Sequence, residues 1–193
     1  MSPTTQASQP APAPRRLVAL LSISAGISVA NLYYNQPLLA AMARSFGASE
    51  RDTGLIPTAT QLGYGLAMLV LVPLGDRYER RMLIVRMTWA SVLALILVAI
   101  APNLASLAAA SLLLGIASMV PQYLVPYAAG AAAAHERGQV VGTVMSGLLI
   151  GILLSRTISG FVGAHFGWRV MYLVAALAMA ALSVVLRTGL PAQ

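Results

Sequence analysis

The sequence predicts an all-α membrane protein of six transmembrane helices, arranged as a 3+3 inverted repeat. Three observations point there. Of 193 residues, 59% are hydrophobic and 9% charged, against about 25% charged in a soluble domain. The charges sit in short clusters between apolar runs of about 20 residues, the length that crosses a bilayer. Finally, Tyr34-x-x-Pro37-x-x-Ala40-x-x-Ala43 is echoed by Tyr123-x-x-Pro126-x-x-Ala129-x-x-Ala132. That echo relates the first span to the fourth, as a repeat of three helices would. Strands are excluded because the apolar runs are too long and lack the alternation of a barrel.

Residues 1–14 are Pro, Ala, Ser, Thr and Gln without apolar periodicity, which predicts a disordered cytoplasmic tail. The transmembrane bundle is expected over 15–187. Its spans are about Leu17–Ala43, Thr53–Leu74, Met82–Ala101, Leu104–Ala134, Val140–Phe166 and Trp168–Leu186. Pro102-Asn103 makes a minimal turn between the third and fourth, and 188–193 begin a central cytoplasmic loop. Arg15-Arg16, the apolar run and Ser28-Val29-Ala30 mimic a secretory signal. A retained first span is preferred, because the chain continues into further spans with a consistent arginine distribution.

All twelve basic residues are arginines. With the N-terminus inside, Arg15, Arg16, Arg77, Arg80, Arg81, Arg86, Arg137 and Arg187 fall on the cytoplasmic side. Arg44, Arg51 and Arg169 fall outside. This asymmetry places both termini in the cytoplasm of a bacterial inner membrane. The net charge of +7 therefore reads as topology, and nucleic acid is not expected as a partner. There is no cysteine, which excludes disulfides and cysteine-based metal or redox sites. His135 and His165 fall in loops. No serine–histidine or paired-aspartate constellation lies in the membrane, so neither an enzyme nor a cofactor is expected.

Polar groups in hydrocarbon are costly and usually face a bundle interior or a water-filled cavity. In the first span Asn31 and Asn35 share a helix face with Tyr34 beside them, and Pro37 would loosen the helix beyond. The second span offers Gln61 and Tyr64, the fourth Gln122, Tyr123 and Tyr127. Arg156, in the outer part of the fifth span, has no acidic residue at its depth. These nine side chains are the candidate substrate cavity, suited to an uncharged or weakly polar small molecule. The alternatives are an aromatic belt for the tyrosines, interhelical hydrogen bonds for the amides, and outward snorkelling for Arg156. Gly147, Gly151, Ser155, Ser159 and Gly163 form a small-residue stripe for close helix packing, with a lesser stripe at Ala59-Gly63-Ala67. The partner helix of each stripe lies inside the bundle or on another chain.

Between the second and third spans runs Gly75-Asp76-Arg77-Tyr78-Glu79-Arg80-Arg81. This turn resembles the signature Gly-x-x-x-Asp-Arg-x-Gly-Arg-Arg/Lys of the major facilitator superfamily, matching at Asp76, Arg77, Arg80 and Arg81. Val72 and Glu79 replace its two glycines. Asn31–Leu39 and Phe166-Gly167-Trp168-Arg169 are similar to segments of bacterial drug or sugar efflux members. The resemblance implies alternating-access transport of a small organic solute, probing Gly75, Asp76, Arg77, Arg80 and Arg81 as a gating turn. Two motifs depart: Ser111 stands where proton-coupled members carry an arginine, and Ile152 where antiporters carry proline. Both departures weigh against proton-driven antiport. Family members have two six-helix halves, and this chain resembles the N-terminal one. A truncated reading frame, an expressed fragment and a half-transporter pairing with a second half or with its own copy all fit the length. The stripes of the second and fifth spans suit such pairing. A non-transporting membrane subunit or truncated remnant is the alternative function.

Overall fold

The structure, a computed structural model, describes residues 14–75 and 79–190. The first expected span is not one helix. It divides into α1 (Arg15–Ala30), an irregular segment at 31–35, a 3-10 turn (Gln36–Leu38) and α2 (Leu39–Phe46). The expected loosening at Pro37 therefore begins earlier, at Asn31. Pro37 has no N–H for the Tyr33 carbonyl. The Gln36 N–H donates to that carbonyl instead, at 3.4 Å. α2 closes on Gly47, whose φ of 59° is left-handed and suits glycine as a helix stop.

The short α3 (Glu50–Thr53) leads into α4 (Leu55–Gly75), followed by α5 (Arg80–Ile100). Asn103 starts α6 (Leu104–Ala117) through a capping box with Ser106. The fourth span is also interrupted, at Ser118–Met119, before α7 (Val120–Ala131). Pro121 cannot donate to the Ala117 carbonyl. The Ser91 hydroxyl donates there from α5 at 3.0 Å, so that carbonyl is not orphaned. α8 (Arg137–Phe166) and α9 (Trp168–Gly189) are continuous, and α8 takes His165, expected in a loop, into its last turn. Among the described residues, five helical stretches are long and apolar enough to cross a membrane; α1 and α2 are too short to count alone. The proposed tail and loop ends, 1–13 and 191–193, lie outside the described residues.

Three helix pairs build the bundle: α1 on α8, α4 on α6, and α5 on α9. The first two are backbone-close. A Cβ on Gly26 would stand 2.7 Å from the Gly147 carbonyl oxygen, and Gly151 lies against Gly26. Ser22 donates across this seam to the Thr143 carbonyl at 2.9 Å. In the second pair, Gly63 meets the backbone of Leu112 and Ile116, while Gly115 meets that of Thr60 and Tyr64. Glycines allow such approach because no Cβ intervenes. Both small-residue stripes are thus engaged inside this chain. Gly163 lies against Leu38, and Ser155 and Ser159 are buried. A seam with another chain is not needed to explain them.

The α5–α9 pair is antiparallel and held by side chains. Arg169, at the start of α9, donates to the Ala99 and Ala101 carbonyls at 2.6 and 2.8 Å. Its guanidinium lies 4.4 Å from the Trp168 ring and 5.7 Å from that of Phe46. Trp168 Nε1 donates to Ser45 Oγ at 2.9 Å, tying in α2. At the opposite end, Arg81 donates to the Arg187 carbonyl at 2.7 Å. Outward, the bundle presents large apolar residues: Leu69 is 77%, Leu153 70% and Leu177 72% exposed. Apolar surface on several helices at once suits lipid as solvent.

Candidate solute site

The irregular segment at 31–35 turns polar side chains into the bundle. Asn35 Nδ2 donates to Thr60 Oγ1 on α4 at 3.2 Å, and Thr60 Oγ1 donates on to the Ile56 carbonyl at 2.9 Å. Gln122 Nε2 on α7 donates to the Tyr64 hydroxyl at 2.7 Å. Thr60 and Tyr64 are four apart and share a face of α4. The first, second and fourth spans thus meet in one polar ladder. Asn31 and Asn35 are 1% and 3% exposed. Both amide atoms of Asn31, together with Asn35 Oδ1 and Ser28 Oγ, are buried without a protein partner. A buried polar group left unpaired costs about 1–3 kcal/mol, which is a large outlay to repeat within one short stretch.

The other expected residues scatter. Tyr34 is buried beside the break, and Tyr127 is fully buried in the core. Tyr123 is buried too, its hydroxyl donating to the Leu71 carbonyl at 2.7 Å. Gln61 is exposed. Arg156 is exposed, its guanidinium 5.9 Å from the centre of the Tyr33 ring, a cation–π distance. An apolar groove of about 340 Å³ runs between α1 and α8, lined among others by Gly26, Ile27, Tyr34 and Leu154. It touches the ladder region only at Tyr34.

At the charged turn, Gly75 ends α4, while Asp76 and Arg77 lie outside the described residues. Arg80 donates to the Pro126 carbonyl at 3.3 Å, and Arg81 to that of Arg187. Each basic residue reaches a carbonyl of a different helix. Sequence reasoning missed Thr60 and Ser28, and took Tyr33 with Tyr34 for an aromatic belt at the outer interface. The four-residue spacing that singled out Asn31 and Asn35 also links Thr60 to Tyr64. Among the described residues, no cluster of histidine and carboxylate side chains could hold a metal ion.

Residues 21–192 match the family model described as Major Facilitator Superfamily. The chain is 47% identical over 175 residues to "Uncharacterized transporter YgaY" of Escherichia coli O157:H7, covering 91% of this chain and 44% of that protein. It is 32% identical over 181 residues to "Probable transporter SCO4007" of Streptomyces coelicolor, covering 94% and 42%. The chain therefore spans less than half the length of these curated relatives. Among solved structures, it superposes on a bacterial homologue of the human lysosomal transporter Spinster, in an inward-facing conformation, with a TM-score of 0.81. That match has 13% identity and covers 92% of this chain and 43% of the other. A peptide transporter in complex with alafosfalin superposes with a TM-score of 0.75 at 14% identity, covering 89% and 37%.

Proposed function

Because the chain belongs to the Major Facilitator Superfamily, an integral multi-pass membrane family, we propose that it is one six-helix unit of a secondary transporter. It moves a small organic solute outward by alternating access against a second six-helix unit. The observation that carries this reading is the polar ladder Asn35–Thr60 and Tyr64–Gln122 across three spans, with the Asn31 amide unpaired beside it. Hydrophobic packing alone has no use for unpaired amides at this depth. Asn31, Asn35, Tyr64 and Gln122 bind the solute's polar groups, and Gln61 and Arg156 line its approach. Asp76 and Arg77 complete the gating turn.

The six helices form two inverted repeats of three, both termini facing the cytoplasm. The pairing supports this reading. Ser22, Gly26 and Tyr34 recur as Ser111, Gly115 and Tyr123, each 89 positions on. Exchanging the two repeats turns the α1–α8 seam into the α6–α4 seam and returns α5–α9 to itself. The chain lacks cysteine, so single-cysteine labels are unambiguous. Labels replacing Arg44 and Arg80 should react from opposite faces; reaction from one face would sink the topology.

Transport is tested in everted inner-membrane vesicles, with the chain alone and co-expressed with a second six-helix unit, against a panel of radiolabelled small organic solutes. Vectorial movement is expected only with both units. Asn31→Leu should slow it about tenfold at unchanged expression, the equivalent of about one strong hydrogen bond to the solute. No movement under any condition favours the non-transporting subunit, which the departures at Val72, Glu79 and Ser111 also suit. Movement untouched by Asn31→Leu and Gln122→Leu removes the ladder from the site.

A further inference from the structure

Arg86 stands on the wrong side of the membrane wall for a bundle-interior role. On α5, Met82, Arg86, Trp89 and Leu93 recur at helical spacing, and all four are exposed. This stripe is the lipid-facing surface of the helix. Arg86 enters it six residues after the helix start, about 9 Å along the axis. A guanidinium there can curl back to the headgroup level, where an anion would complete it.

The geometry around it is a built cleft. Arg81, Arg86 and Arg187 rim a recess of about 440 Å³ between the start of α5 and the end of α9, with Met82 and Val85 along its wall. Glu79 is the acid on the same rim, so three guanidinium groups face one carboxylate. Among the described residues, none of the three arginines has a carboxylate within ion-pair distance. Arg81 uses one Nη on the Arg187 carbonyl and keeps its remaining donors. We propose that this cleft binds the phosphodiester headgroup of an anionic phospholipid. Guanidinium forks match phosphate oxygens bidentately, and a basic pocket between membrane helices is where such a headgroup gains most. The apolar stripe running on through Trp89 and Leu93 gives its acyl chains a surface to lie along. A soluble phosphate would leave that surface unused, which decides for the lipid.

The test uses the full chain in phosphatidylcholine vesicles doped with dibrominated phosphatidylglycerol or dibrominated phosphatidylcholine. Trp89 lies one turn beyond Arg86 and reports bromine bound beside it. Trp168→Phe removes the only other tryptophan. Quenching should show a preference for phosphatidylglycerol of about fivefold, as expected for roughly one well-placed arginine–headgroup contact. The preference should fall to none in Arg86→Gln/Arg187→Gln and persist in Arg44→Gln, whose site is at the opposite end of the bundle. No preference in the parent chain, or one that survives the double substitution, overturns the proposal. Displacement of the brominated lipid by millimolar glycerol phosphate would assign the cleft to soluble phosphate and overturn it too. Trp168 holds Ser45 and Arg169, so the tryptophan variant has a backup. Native mass spectrometry of the unsubstituted chain should retain a phosphatidylglycerol adduct that the double variant loses, and equal retention refutes the site.

Discussion

The α5–α9 pair is tied at both ends by an arginine that reaches across to its antiparallel neighbour, yet the two ends differ in what remains. At one end, Arg169 engages two carbonyls and lies near two aromatic rings. At the other, Arg81 engages one carbonyl, and Arg86 and Arg187 turn their charges into an open cleft. The same residue type thus does two jobs. Where its fork spans two backbone carbonyls and its face lies by aromatic rings, an arginine is a structural staple. Where donors are left over beside a recess, it is available to a ligand.

Substitutions can break or sharpen that contrast, and the backbone-close seams give the upper end of the scale. Gly115→Val would drive a branched side chain into the backbone of Thr60 and Tyr64. Neither helix can retreat without opening its other contacts, so no monodisperse, folded protein should be recovered by size-exclusion chromatography in detergent. Recovery at parental yield would show that the α4–α6 seam is looser than described. Arg169→Ala comes next, at about 2–4 kcal/mol, since it orphans two carbonyl acceptors and removes the ring contacts. Arg169→Lys should recover less than half of this, because an ammonium has no planar fork to span both carbonyls. Thermal unfolding in detergent would measure both, and equal stability of the lysine and parent chains would reduce the staple to a simple charge. Arg81→Ala removes one bond and should cost about 1 kcal/mol. Arg86→Ala should change detergent stability by less than about 0.5 kcal/mol. A larger loss there would mean that Arg86 is structural and that the two ends are alike.

The sequence makes the membrane class and most of the spans legible, because helix-length apolar runs bounded by arginine admit few other structures. The breaks in the first and fourth spans are not legible from hydropathy. Residues 31–35, Asn-Leu-Tyr-Tyr-Asn, are polar but lie inside a long apolar run that reads as one span, and Asn35 meets its partner Thr60 on α4 only in the fold. Pro121 does signal the second break, but the Ser91 hydroxyl that makes it tolerable comes from a helix thirty residues away. The candidate site divides the same way. Asn35, Tyr64 and Gln122 stand out in sequence as polar residues in oil, whereas their pairing depends on α4 lying backbone-close to α6. Glycine stripes announce that a close approach exists without naming its partner. Here Gly26 and Gly147 found each other inside the chain.

The paired ties on α5 and α9 have a mechanical consequence. Two rods running in opposite directions and bolted at both tips cannot slide past one another without shearing both bolts. A push delivered at either tip is therefore transmitted whole, and the pair tilts as a strut. Flexing of the bundle then falls to the interrupted segments 31–35 and 118–119, the second of which leans on the strut itself through Ser91 of α5.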